Sequence, residues 1–299
     1  MVSRAGARAR FELPLPPRSG SPRSLVLGER TLVLGIVNVT PDSFSDGGCH
    51  ATPDDAIRHA LRLVDEGADL LDVGGESTRP GAAEVAPDEQ ARRVLPVVAA
   101  LTARVPHVPV SVDTRSAAVA RDAVAAGASI VNDVSGMVHD PAMRSVVASL
   151  GVPAIVMHMR GTPADMKQRA VYGDVVAEVV AELAARLGEA RAAGCRHLIA
   201  DPGIGFAKSA EQSMALLAAT HAFAALGVPI LVGASRKSFL AAPARADAPA
   251  PAPSDRLAAS IAAATIAAWL GAHVVRVHDV AATVDAVRLA DRLRAAAAS

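Results

Sequence analysis

Eight short apolar runs in this chain of 299 residues each end in a polar or charged residue, and those endings hold the chemistry the sequence can offer. In order they are Asn38, Asp72 with Glu76, Asp113, Asn132 with Asp133, His158, Asp201, Ser235 through Lys237, and Arg276 with His278. The opposite ends of the runs are mostly Gly, Ala, Val and Pro. Taken singly, each ending has an ordinary use. Asp72 and Asp133 can tie down loops, His158 reads as a satisfied core histidine, and Asp201 before Pro202-Gly203 can start a turn. All eight being polar at once points to a site. Asp113, Asn132 and Asp201 suit a ring with several N–H donors, because a carboxylate can accept an adjacent pair of them. Arg79, Arg276 and His278 suit a di-anionic phosphate. The run Gly74-Gly75-Glu76-Ser77-Thr78-Arg79-Pro80-Gly81 adds hydroxyls and a guanidinium. Ser235-Arg236-Lys237-Ser238 predicts a helix start whose free N–H groups suit a carboxylate. His-rich metal motifs and Ser-His-Asp spacing are absent, so a metal here would be an oxygen-liganded Mg²⁺ riding on phosphate, with Asn38 as its protein ligand. The remaining histidines, His50, His59, His107, His139, His197 and His221, show no pairing pattern and read as surface residues.

The elements that must position these groups follow a rhythm. Gly67, Gly127, Gly151, Gly194, Gly227 and Gly271 each close a helix-like stretch just before an apolar run, as the usual left-handed C-terminal residue of a helix does. Leu32–Val37 and Val108–Val112 complete eight strand candidates, spaced about 34 residues apart, the size of one strand-helix unit. The runs are apolar throughout, as parallel strands covered by helices are. Thr52-Pro53-Asp54-Asp55, Pro87-Asp88-Glu89 and Asp174 open helices. Eight such units imply an α/β fold, a single-domain (β/α)8 TIM barrel with its chemistry at the C-terminal strand ends. The rival, a doubly wound sheet, lacks its Gly-rich nucleotide loop after the first strand. Residues 1–24, with five arginines and three closely spaced prolines, predict a disordered N-terminal extension, leaving 25–299 as the barrel. The uncharged stretch Leu257–Val275 reads as a buried helix and strand, not a membrane span. The Pro/Ala-rich 241–254 segment reads as a mobile loop leading to Ser254 as a helix cap.

Thirty basic residues balance thirty acidic ones, which argues against a broad nucleic-acid-binding face. Cys49 and Cys195 form no disulfide framework and suit a reducing cytoplasm. Only three residues are lysines (Lys167, Lys208, Lys237) and only 2% are aromatic, so a Lys or Phe in a polar loop is informative.

The motifs resemble those of the dihydropteroate synthase family. The similar stretches are Leu34–Gly48, Asp72–Gly81, Ser111–Thr114, Val131–Gly136, Met157–Met159, Asp201–Phe206, Ser235–Ser238 and Arg276–Val280, in order and on all eight strands. The resemblance implies that 6-hydroxymethyl-7,8-dihydropterin pyrophosphate is joined to 4-aminobenzoate, with release of pyrophosphate and 7,8-dihydropteroate. By the same resemblance Asp113, Asn132, Asp201 and Lys237 hold the pterin. Asn38, Thr78, Arg79, Arg276 and His278 hold the pyrophosphate, Arg276 also stacking on the pterin, and Asn38 helps bind Mg²⁺. The aminobenzoate lies among Phe44, Pro80, Phe206 and Ser238. Small-molecule substrates, a homodimer, and neither nucleic acid nor membrane as partner are implied. A pterin-binding methyltransferase, a Schiff-base aldolase acting through Lys237, and a catalytically dead paralogue are the competing readings. The methyltransferase would not need Ser77–Pro80, Lys237 or the Arg276/His278 pair. An aldolase lysine would lie within a strand, whereas Lys237 lies beyond the seventh strand, beside Arg236. A dead paralogue usually loses site residues, and none is missing here.

Overall fold

The computed structural model describes residues 8–18, 21–40, 52–79, 81–241 and 250–298. Its frame is eight parallel strands: β3 (Leu32–Asn38), β4 (Leu70–Gly74), β5 (Val110–Asp113), β6 (Ile130–Asp133), β7 (Ala154–Met157), β8 (Leu198–Asp201), β9 (Leu231–Val232) and β10 (Val274–Val277). They pair in the order β8-β7-β6-β5-β4-β3-β10-β9. A parallel bridge between Ala200 and Ile230 brings the two ends together. The result is the (β/α)8 barrel that the strand spacing predicts.

Between and after the strands run α1 (Pro53–Asp65), α2 (Pro87–Arg104), α3 (Ala117–Ala125), α4 (Met143–Leu150), α5 (Val175–Ala192), α6 (Ala210–Ala218), α7 (Leu257–Trp269) and α8 (Val280–Ala298). Local chemistry explains their starts. Thr52 and Asp55 form a reciprocal capping box at α1, with Pro53 in the first turn. Asp174 accepts from the amides of Val176 and Ala177 at α5. The six glycines that mark helix ends in the sequence all take positive φ, from 65° to 111°. Ser254 does not cap α7 as expected. It lies inside a short 3₁₀ turn, Pro253–Arg256, and Arg256 stands at the cap position. Most of the 241–254 loop lies outside the described residues. No described helix is long and apolar enough to cross a membrane.

The expected disordered extension is corrected where it is described. Phe11–Arg18 (β1) and Ser21–Leu27 (β2) form an antiparallel hairpin, with Leu13 opposite Leu25 and Phe11 opposite Leu27. Leu13, Leu15, Leu25 and Leu27 pack with Leu32, Leu34, Leu70, Ile130, Ile155, Ile199, Leu231 and Val274. Those partners are inward positions of the barrel, so the hairpin plugs its lower end. Each fully buried leucine contributes about 1.5–3 kcal/mol, which is why this stretch is ordered despite its prolines. Polar ties fasten the plug. Arg8 donates to Asp291 at 2.8 Å and to the Ala268 carbonyl at 3.0 Å.

Candidate active site at the open end of the barrel

Side chains two apart on a strand share a face. Along five strands an apolar plug contact is followed two residues later by a residue nearer the C-terminal end: Leu70 then Asp72, Ile130 then Asn132, Ile155 then Met157, Ile199 then Asp201, Val274 then Arg276. The lower layer closes the core, and the upper layer forms the floor of a site.

Arg276 is the centre of that floor. Its Nε donates to Asp72 Oδ2 at 2.6 Å and its Nη2 donates to Asp113 Oδ2 at 2.8 Å. Asn132 Nδ2 donates to the same Asp72 oxygen at 2.9 Å. Asp72 is fully buried, and its Oδ1 takes no hydrogen bond from the described residues. Burial, followed by the charge of Asp72, pushes the Asp113 carboxyl up to about 7, with Arg276 opposing. Gly74 makes room for this cluster, because a Cβ there would lie 3.3 Å from Asp113 Cβ.

Lys237, Asp201 and Phe206 form a second group. The Lys237 ammonium donates to the Ile204 carbonyl and lies 4.4 Å from the centre of the Phe206 ring, a cation–π distance. Burial pulls this ammonium down to about 8, Asp201 opposing and Arg276 adding to the shift. Asp201 accepts from the Gly203 amide at 2.8 Å, and burial raises its carboxyl with Lys237 opposing.

On the anion side, Ser235 Oγ accepts from the His278 amide at 3.2 Å and meets His278 Nδ1 at 3.0 Å. Burial, then Arg236 and Arg276, hold this imidazole down at about 3. His278 is thus neutral and brings an anion no second positive charge. Arg79 is exposed, and its charge is among those acting on His278. Thr78 is half-buried and Ser238 exposed. Asn38 ends β3 in register with Gly74. Phe44 and Pro80 lie outside the described residues.

The predicted helix at Ser235 is corrected. Only a 3₁₀ turn, Ser238–Leu240, forms there, and Arg236 takes φ 57° with its guanidinium on Asp279 at 2.5 and 3.1 Å. One short turn lacks the aligned dipoles that make a helix end an anion site.

The chain matches the family described as "Pterin binding enzyme" over residues 34–278. It belongs to the pterin-binding enzymes. A dihydropteroate synthase of Mycobacterium leprae is 49% identical over 261 residues, 86% of this chain and 91% of that protein. A probable bifunctional folylpolyglutamate synthase/dihydropteroate synthase of Haloferax volcanii is 50% identical over 262 residues, 87% of this chain but 30% of that longer protein. The Xanthomonas albilineans dihydropteroate synthase structure with 4-aminobenzoic acid superposes with a TM-score of 0.84 at 47% identity, covering 95% of this chain and 99% of that one.

The matched span of this pterin-binding enzyme contains every described candidate residue and leaves the plug hairpin outside. Sequence reasoning undervalued three groups in it. Asp72 reads as a loop tie yet holds Arg276. Glu76 and Arg115 form a buried two-pronged pair at 2.8 and 3.1 Å, and Glu76 also accepts from the Val85 amide at 3.0 Å, anchoring the far end of the loop that carries Thr78 and Arg79. Lys208, noted only for its rarity, is enclosed by backbone carbonyls. Two histidines expected unpaired are not. His59 meets the Ile36 carbonyl at 3.3 Å, and His139 meets Glu84 at 3.0 Å. His158 is the satisfied core histidine expected, fully buried on Glu182.

Proposed function

We infer that this pterin-binding enzyme catalyses the dihydropteroate synthase reaction. It joins 6-hydroxymethyl-7,8-dihydropterin pyrophosphate to 4-aminobenzoate and releases pyrophosphate and 7,8-dihydropteroate. One observation carries the reading. A single barrel mouth gathers the buried acids Asp113 and Asp201 with Asn132 for a ring's N–H groups, and Arg276 and His278 for a phosphate. Relatives named for this activity cover most of the chain.

The residues divide the work by chemistry. Asp113, Asn132, Asp201 and Lys237 hold the pterin. Thr78, Arg79, Arg276 and His278 hold the pyrophosphate. Phe44, Pro80, Phe206 and Ser238 flank the aminobenzoate. As the leaving group departs, charge grows on its oxygens, and Arg276, His278 and Arg79 stabilise it. The electron-rich dihydropterin delocalises the deficit at the methylene carbon. A weakly basic arylamine then attacks without a strong general base, so a secondary deuterium isotope effect near unity at that carbon would speak against this order.

Among the described residues no group of three acidic, His or Cys side chains gathers for a metal. Asn38 offers one neutral oxygen at the mouth, which fits a Mg²⁺ held mainly by phosphate oxygens. Bound there, the ion would offset charge on the leaving pyrophosphate. The free, buried Cys195 fits a reducing cytoplasm, and the exposed apolar side chains of α7 and α8 support a homodimer as the proposed assembly.

The deciding experiment supplies the pterin pyrophosphate, 4-aminobenzoate and Mg²⁺ to the folded protein. Pyrophosphate release that needs both organic substrates is the expected result, and its absence overturns the reading.

A further inference from the structure

Lys208 takes part in none of the contacts proposed above, yet four acceptors converge on its Nζ. They are the Phe206 carbonyl at 2.9 Å, His158 Nδ1 at 2.9 Å, the Gly203 carbonyl at 3.0 Å and the His158 carbonyl at 3.3 Å. An ammonium has three N–H bonds and no lone pair, so every donor is used. Burial pulls the Lys208 ammonium well down, with Asp201 opposing, and the three carbonyl dipoles that converge on it favour the charged form.

The backbone is shaped for this convergence. Gly203 has φ +64°, and a Cβ there would sit 1.9 Å from the His158 carbonyl oxygen, so the loop after β8 rests directly on the end of β7. Ala207 takes φ 49°, a conformation costly for a residue with a Cβ. It turns the chain so that Lys208 reaches back to the loop it follows, and Tyr172 fixes the Ala207 carbonyl at 3.0 Å. With Lys208 donating to Nδ1, the His158 ring carries its proton on Nε2 and donates it to Glu182 at 2.9 Å. Burial, then the Lys208 charge, holds that imidazole down at about 3, which keeps it neutral and able to accept. The same loop meets Lys237. The Lys237 ammonium donates to Ile204 O and lies against Phe206, and a Cβ on Gly205 would fall 2.9 Å from Lys237 Cδ.

We propose that Lys208 is a positioning residue. By clasping the 203–206 loop onto the end of β7, it fixes the Phe206 ring and the Ile204 carbonyl, and through them the Lys237 ammonium. It thereby sets the fit of the arylamine substrate without touching it. This rests on the reading that the arylamine lies on Phe206.

The test compares the unaltered chain with Lys208→Ala and Lys208→Gln, each confirmed as folded by circular dichroism and melting. Each substrate is varied in turn, with and without added ethylammonium. The expected result for Lys208→Ala is a rise of roughly tenfold or more in KM for 4-aminobenzoate, larger than the rise for the pterin pyrophosphate, partly reversed by ethylammonium, whose small cation fills the vacated clasp. Lys208→Gln, which keeps donors but no charge, falls between the two and gains nothing from the amine. A Lys208→Ala enzyme with both KM values unchanged, or with a uniform loss indifferent to the amine, overturns the proposal. If Lys208→Ala does not fold, Lys208→Gln decides alone, and an unchanged ratio of the two KM values overturns it. An inactive unaltered chain instead removes the functional reading, so the two failures are distinct.

Discussion

Lys237 and Asp201 are the residues whose loss the chemistry should feel most directly. Lys237→Ala and Asp201→Asn should each lower kcat/KM by more than roughly tenfold, the scale of one lost charged contact, measured by pyrophosphate release. Cys195→Ala, far from the mouth, should change it less than twofold. Asp113 and Lys237 also set the pH dependence. Asp113 must be ionised to accept from the pterin and to hold Arg276, and it stands at about 7 because of its burial and Asp72. Lys237 must be protonated to bring a positive charge and all three N–H donors to the pterin, and burial brings it to about 8. The kcat/KM of the free enzyme should therefore trace a narrow bell, losing activity below about 7 and above about 8. Lys237→Arg should flatten the alkaline limb, and a limb that persists would assign it elsewhere. Asp113 also bears on stability. Its carboxyl titrates near 3.8 when unfolded and near 7 when folded. Between those values the folded state keeps a proton the unfolded state has lost, so this group's contribution falls as pH rises from about 4 to about 7. Asp113→Asn should melt at or above the parent's temperature at pH 8 while losing activity. A clear drop in melting temperature would show that the Arg276 contact outweighs the burial cost.

Strands and loops differ in how openly the sequence declares them. The barrel strands are legible because burial on both faces leaves continuous apolar runs and because glycines stop the helices before them. The β1–β2 hairpin is not, although its signal exists: Leu13 with Leu15, and Leu25 with Leu27, alternate at the strand period. Pro14, Pro16 and Pro17 mask that alternation, yet a two-stranded ribbon tolerates them where their missing N–H groups are not needed. The turn after Ser235 misleads in the opposite way, because its residue types suit a helix start while the Arg236–Asp279 pair holds the chain in a left-handed step. Site residues are legible where type alone matters, as for Asp113, Asn132 and Arg276. Lys208 is hidden because most of its partners are backbone carbonyls, which any residue supplies. The hairpin also gives a test that separates stability from catalysis. Leu27 is fully buried in the plug, so Leu27→Ala should cost about 2–5 kcal/mol by denaturant titration. Because the plug lies at the opposite end from the chemistry, kcat/KM should stay within about twofold. A large activity loss in a folded Leu27→Ala protein would show that the two ends of the barrel are coupled.

At the scale of the whole molecule, the proposed homodimer needs a surface, and α7 with α8 offers one. Their exposed apolar side chains include Ile266 at 45%, Leu289 at 55% and Leu293 at 52%. Leu289 and Leu293 are four apart, so they share one face of α8. Scattered apolar residues are normal on a monomer, but these sit on two helices packed against each other, which makes a patch suited to a symmetric contact. The two helices flank β10, and α8 starts two residues after His278. A contact there would brace the strand carrying Arg276 and His278 without covering the mouth. Leu289→Glu combined with Leu293→Glu should convert a dimer to a monomer in light scattering coupled to gel filtration, because each partner would bury carboxylates against apolar surface. The parent's melting temperature should rise with protein concentration, and the double variant's should not. With the mouth built from one chain, kcat/KM of the monomer should fall less than about tenfold. A parent that is monomeric, or a variant that remains dimeric, moves the interface off this face.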